Sequence, residues 1–150
     1  MNKTRHSLLL ILSIVPLAAL ADSRVVPEDV LAEWGYHTTH LEEQQTIRQV
    51  ESLPGREQPM HPRFNIWSEC FDSNDAALRR MAAKEAEIDA ERSIIYKSGV
   101  GMLVRNECVY FVSAHGTFFM LEFQPFIMRK LEEHLCPDQE CTRSTQLDDL

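Results

Sequence analysis

The residues best suited to chemistry lie in His37-Thr38-Thr39-His40, with Glu43 close behind. Two imidazoles and a carboxylate spaced by three share one face of a helix, and together they can hold a zinc ion with a fourth position open for water. Local signals weaken that arrangement. Thr39 followed by Glu42 is a capping-box pattern, which starts a helix at Thr39 and leaves His37 ahead of it, so the pair need not converge. The zincin pattern His-Glu-x-x-His is absent, and ordinary solvated histidines are the expectation.

His115 stands two residues after Ser113, a spacing that in a strand turns both side chains to one side and invites a nucleophile-and-base reading. The turn expected at Ala114-His115-Gly116 begins between them, and no acid nearby in the sequence is placed to orient the imidazole. Glu69, beside Trp67 in an apolar stretch, is the acid whose pKa burial would raise, with a plain surface position as the alternative. The adjacent pairs Glu42-Glu43, Glu132-Glu133 and Asp148-Asp149 point apart, whereas glycosidase chemistry needs two carboxyls facing across roughly 5 to 9 Å. Gly-x-Ser-x-Gly and any glycine loop for phosphate are missing, and the chain has only 5 glycines with which to bend around a substrate. These residues imply no cofactor and favour binding over catalysis.

The first 21 residues carry the strongest signal. Lys3, Arg5 and His6 form a basic n-region, residues 8–20 are apolar apart from Ser13 and Pro16, and Ala19-Leu20-Ala21 is a small-x-small cleavage site. Residues 1–21 therefore read as a signal peptide, too short an apolar run for a stable membrane anchor, where roughly 20 such residues are needed. Residues 22–141 read as a single exported domain, and 142–150 as a flexible acidic tail. Placement is periplasmic or secreted.

An exported chain with Cys70, Cys108, Cys136 and Cys141 is most simply read as holding two disulfides, in one of three pairings. Cys136 and Cys141 bracket a short loop, which would leave Cys70 to meet Cys108. On the chain-entropy model the long loop stabilises by roughly 4 kcal/mol and the short one by roughly 2 kcal/mol. A zinc site using His134 and Cys136 lacks the usual two-residue spacing between paired cysteines.

Cleavage would remove Lys3 and Arg5 and take the formal charge from −8 to −10. That balance argues against nucleic acid or an anionic lipid surface as partner, since both demand a basic face. A basic protein remains compatible.

The elements that must position these residues point to a small α+β domain. Helices are expected over residues 27–34, from Thr39 to near Leu53 with Leu41, Ile47 and Val50 on its thin apolar face, and over 75–95 with Leu78, Met81, Ile88 and Ile95 as a stripe. Residues 54–62 are a connector, and 63–71 a strand rich in Phe, Ile and Trp. Strands at 102–105, 108–113 and 117–123 follow, with tight turns at Asn106-Glu107 and Ala114-His115-Gly116, and then a final helix over 125–135.

The sum is an antiparallel three- to four-stranded β-meander packed by two or more helices. If one face of that sheet were left uncovered, Phe111, Phe118 and Met120 would form an apolar contact patch. The functional expectation is an exported protein-binding module, such as an inhibitor, a toxin-immunity protein or a subunit of an envelope complex. Its partner would be another exported or envelope protein, or a second copy in a homodimer. The competing expectation is a small secreted hydrolase built on His37, His40 and Glu43, with or without zinc, or on Glu69 and His115.

Overall fold

In the computed structural model, which describes residues 24–91, 99–116 and 122–144, the chain runs α1 (Glu28–Glu33), β1 (Tyr36–Leu41), β2 (Gln45–Gln49), β3 (Arg63–Cys70), α2 (Asn74–Glu91), β4 (Val100–Arg105), β5 (Cys108–Ala114), α3 (Gln124–Leu135) and β6 (Thr142–Arg143). The six strands form one antiparallel sheet in the order β1-β2-β3-β5-β4-β6. This is the α+β domain expected, with more strands than the three or four read from the sequence.

Strand alternation divides the core in two. Phe64, Ile66, Leu103, Val112 and Ile47 face one side, where Leu31 of α1 and Ile127, Met128, Leu131 and Leu135 of α3 cover them. Met102, Val104, Val109 and Phe111 face the other, beneath Ala77, Met81 and Ile88 of α2. Both faces of the central strands are thus apolar because both are buried. Gly101 lets α3 approach closely: a Cβ there would lie 2.4 Å from the Met128 sulfur.

Local signals set most boundaries. Pro27 precedes α1, and Gly35 ends it at φ +79°, a conformation costly to a side-chain-bearing residue. The Ser73 hydroxyl accepts from the Ala76 N–H (3.2 Å) as the N-cap of α2. Asn106 takes φ +54° in the two-residue β4–β5 turn.

Three expectations change. The helix drawn from Thr39 to Leu53 is instead the β1–β2 hairpin, with Tyr36 opposite Gln49 and a bulge between Thr38 and His40. Its inward positions on β2 are Gln45, Ile47 and Gln49, so polar residues occupy the face that would have announced a strand. Residues 142–143 do not fray but pair with β4, and the Ser144 N–H bonds to the Met102 carbonyl (3.1 Å). The strand expected over 117–123 falls mostly outside the described residues, as does the rest of the tail. Phe123, at its end, has α-region dihedrals and opens α3.

Both disulfides are present, Cys70–Cys108 and Cys136–Cys141. The first joins directly opposed residues of β3 and β5, and the second closes the connection from α3 to β6. No helix among the described residues is long and apolar enough to cross a membrane. Two disulfides fit a protein that matures in an oxidising compartment.

Candidate functional site

Three of the chemistry-bearing residues, His40, Glu43 and His115, meet in a cleft on the half of the sheet that α2 does not cover. The β1–β2 turn and the facing strands line it with His40, Glu42, Glu43, Gln44, Thr46, Asn65 and His115, around a volume of about 370 Å³. Thr46 and Asn65 are directly opposed across β2 and β3. The Thr46 hydroxyl donates to Asn65 Oδ1 (2.9 Å), and His115 Nε2 lies 2.9 Å from the same oxygen. An amide oxygen only accepts, so this contact calls for a His115 proton on Nε2. His40 Nε2 lies 3.4 Å from Glu42 Oε2, with both side chains mostly exposed.

The bulge in β1 has a direct effect on this site. His37 opposes Arg48 and His40 opposes Thr46, and because Arg48 and Thr46 are two apart on β2, the two histidines share a sheet face despite a spacing of three. Only His40 reaches the cleft. Among the described residues no group of three or more His, Cys, Asp or Glu side chains is placed to hold a metal. The cleft contains imidazoles able to move protons, but its only side-chain hydroxyl, Thr46, is already donating to Asn65.

Glu69 is elsewhere and occupied. It accepts two hydrogen bonds from Arg80 of α2, at 2.6 and 3.1 Å, which hold the Arg80 guanidinium pKa above its ordinary value. Arg80 also lies 3.7 Å from Glu87 and over the Phe111 ring. Glu87, hydrogen-bonded to Lys84 at 2.9 Å, is held below the usual carboxylate range. Phe111 is 0% exposed and stacks on Trp67 with ring centres 4.9 Å apart. It is therefore a core residue under α2 and not part of an open apolar face, while Phe118 and Met120 lie outside the described residues.

The exposed apolar surface is at the opposite end of the β1–β2 hairpin. Val50, at the end of β2, is 57% exposed, and Met60 on the same β2–β3 connection is 38% exposed. Val50 lines a groove with Ala32, Glu33, Trp34, Gly35, Gln49 and Glu51. A second depression, between α1 and α3, shares Glu33 and Trp34 and adds Val30, Lys130, Glu133 and His134. Both depressions are lined by the half-buried Trp34, whose ring packs edge-to-face with the His134 imidazole, ring centres 6.3 Å apart. In the sequence Trp34 is the last residue of the helix expected over 27–34, and Val50 falls on the apolar face of the helix expected from Thr39. Nothing local marks them as neighbours, because the hydrogen bond from Val50 N–H to the Gly35 carbonyl (2.8 Å) closes the two ends of the hairpin.

Comparisons with protein-family models, curated proteins and solved structures found no match for this chain.

Proposed function

We propose that this protein is an exported, acidic protein-binding module, acting in the periplasm or outside the cell as an inhibitor, a toxin-immunity protein or a subunit of an envelope complex. The observation that carries this reading is the grouping of Trp34 with the exposed Val50 in a groove rimmed by Glu33 and Glu51. A large aromatic anchor beside exposed aliphatic surface, ringed by polar groups, is how binding energy is concentrated at protein interfaces. The disulfides and the leader-like first 21 residues support export, and the net charge of −8 supports a basic partner. The test is affinity purification of the C-terminally tagged, naturally exported protein under non-reducing conditions, with native mass spectrometry of the eluate. A stoichiometric foreign protein is expected, and a bare monomer overturns the reading.

A second reading, a small hydrolase, draws on the cleft, which brings His40 and Glu43 of the first hairpin together with His115 from just after β5. On that reading one imidazole accepts a proton from water and the other protonates the leaving group. Turnover of any substrate that is lost in both His40→Ala and His115→Ala, with the circular dichroism unchanged, would establish it. Turnover unaffected by either change would remove the cleft from consideration.

A further inference from the structure

We infer that the groove at Trp34 receives an extended segment of a partner protein in which a lysine or arginine follows closely on an apolar side chain. This rests on the reading of the protein as a binding module and specifies what that module holds. The charged side chains of the groove proper are Glu33 and Glu51, with no cation among its walls. Neither carboxylate is ion-paired among the described residues. Gln49, from the end of β2, also lines the groove. Two carboxylates therefore line the groove beside Trp34 without a matching cation. A guanidinium or ammonium lying over the tryptophan face would satisfy both the ring and the carboxylates, while its neighbouring apolar side chain covers Val50.

The cleft at His40 is a poorer host for the same cation. Glu42 there already faces His40, and the acceptor Asn65 Oδ1 is already bonded to Thr46 and His115. The extension past Trp34 toward α3 is likewise compensated, since Glu133 is paired with Lys130 at 2.9 Å. Glu43 in the cleft is also unpaired among the described residues, but the groove, unlike the cleft, sets its unpaired carboxylates beside an exposed aliphatic side chain and a half-buried tryptophan, so the cation of an extended segment is expected there.

The experiment uses the exported full-length protein and two synthetic ten-residue probes, one containing alternating arginine and leucine and one in which glutamate replaces arginine. Binding is read by isothermal titration and by tryptophan fluorescence at two salt concentrations. Glu33→Gln with Glu51→Gln is expected to weaken the arginine probe at least about tenfold, because it removes both rim charges facing one cation. Glu42→Gln with Glu43→Gln removes the same net charge from the cleft and is expected to change binding less than about twofold. Trp34→Ala should abolish both the affinity and the fluorescence response. Equal weakening by the two double variants means attraction by net charge alone, and overturns the groove. Loss only in the cleft variant moves the cation to the cleft and also overturns it. If neither probe binds, the groove proposal falls, and the native-partner purification then decides the broader reading independently: a partner retained by Glu33→Gln with Glu51→Gln leaves the protein a binding module that uses another surface.

Discussion

Gln45 ties the beginning of the domain to the sheet, and replacing it should release that beginning. Its side chain is 0% exposed, and all of its hydrogen-bonding capacity in this direction is used by the chain 19 and 20 residues upstream and by one threonine. Oε1 accepts from the N–H groups of Val25 and Val26, both at 2.9 Å, while Nε2 donates to the Val26 carbonyl at 2.8 Å and to Thr38 Oγ1 at 2.9 Å. The amide thus acts as a one-residue strand for a segment that has no ladder of its own. In Gln45→Ala the buried N–H and C=O of Val26 lose their partners. Holding the segment in place would then cost about 2–6 kcal/mol, taking about 1–3 kcal/mol for each orphaned group.

Letting go is the cheaper course. Release exposes Val26, which is fully buried, at a cost of about 1.5–3 kcal/mol. It also returns backbone entropy worth about 1–2 kcal/mol for each freed residue. The expected result is a loss of about 2–3 kcal/mol in urea unfolding followed by circular dichroism, with the rest of the sheet intact. Aminopeptidase digestion followed by mass spectrometry should stop before Val25 in the parent protein and continue through Val26 in the variant. Gln45→Glu separates hydrogen bonding from size: at pH 7 the introduced carboxylate cannot donate to Val26 or Thr38 and is buried, so the loss should exceed that of Gln45→Ala. Burial raises that carboxyl's pKa in the folded state, so protonation near pH 4 should restore part of the stability. A loss below about 0.5 kcal/mol in Gln45→Ala, within the range of ordinary surface substitutions, together with unchanged trimming, would refute the reasoning.

Two further outcomes follow from packing and burial. Gly101→Ala should cost about 1–3 kcal/mol, since its Cβ would lie 2.4 Å from the Met128 sulfur in a filled core; combining it with Met128→Ala should cost less than the sum of the two single losses in urea unfolding. Burial pushes the Tyr36 hydroxyl up to about 12 from its ordinary value of 10.0, so its contribution is complete below pH 10 and fades as pH rises through 12. The folded chain should therefore lose about 2–3 kcal/mol across that window, and Tyr36→Phe should flatten this part of the pH profile.

The parts of the fold legible in the sequence are those whose signals are local. Ser73 caps α2, Gly35 ends α1, Asn106-Glu107 turns β4 into β5, and the two cysteine pairs are the ones their spacing favours. The alternation in β5 also identifies a strand buried on both faces. What that alternation cannot say is which element covers which face. Phe111 becomes core only because α2, joined to β4 by residues outside those described, lies across Met102, Val104 and Val109 as well.

The first hairpin was illegible for a more specific reason. A strand announces itself by apolar residues two apart, yet β2 turns Gln45, Ile47 and Gln49 inward, and β1 interrupts its own period with a bulge at its centre. Gln45 can occupy a core position only because Val25 and Val26 supply its partners from far upstream, and that compensation is invisible until the sheet is assembled. With the strand signal hidden, Thr39 and Glu42 match a helix cap by type alone, although the structure uses residues 42–44 as the turn. The same hairpin forms both candidate surfaces. Its turn carries His40 to the cleft shared with Asn65 and His115, and its open end sets Val50 beside Gly35 and Trp34. A hidden strand pairing therefore hides more than a strand: it hides which residues are neighbours, and both candidate surfaces are built from neighbours that only strand pairing creates.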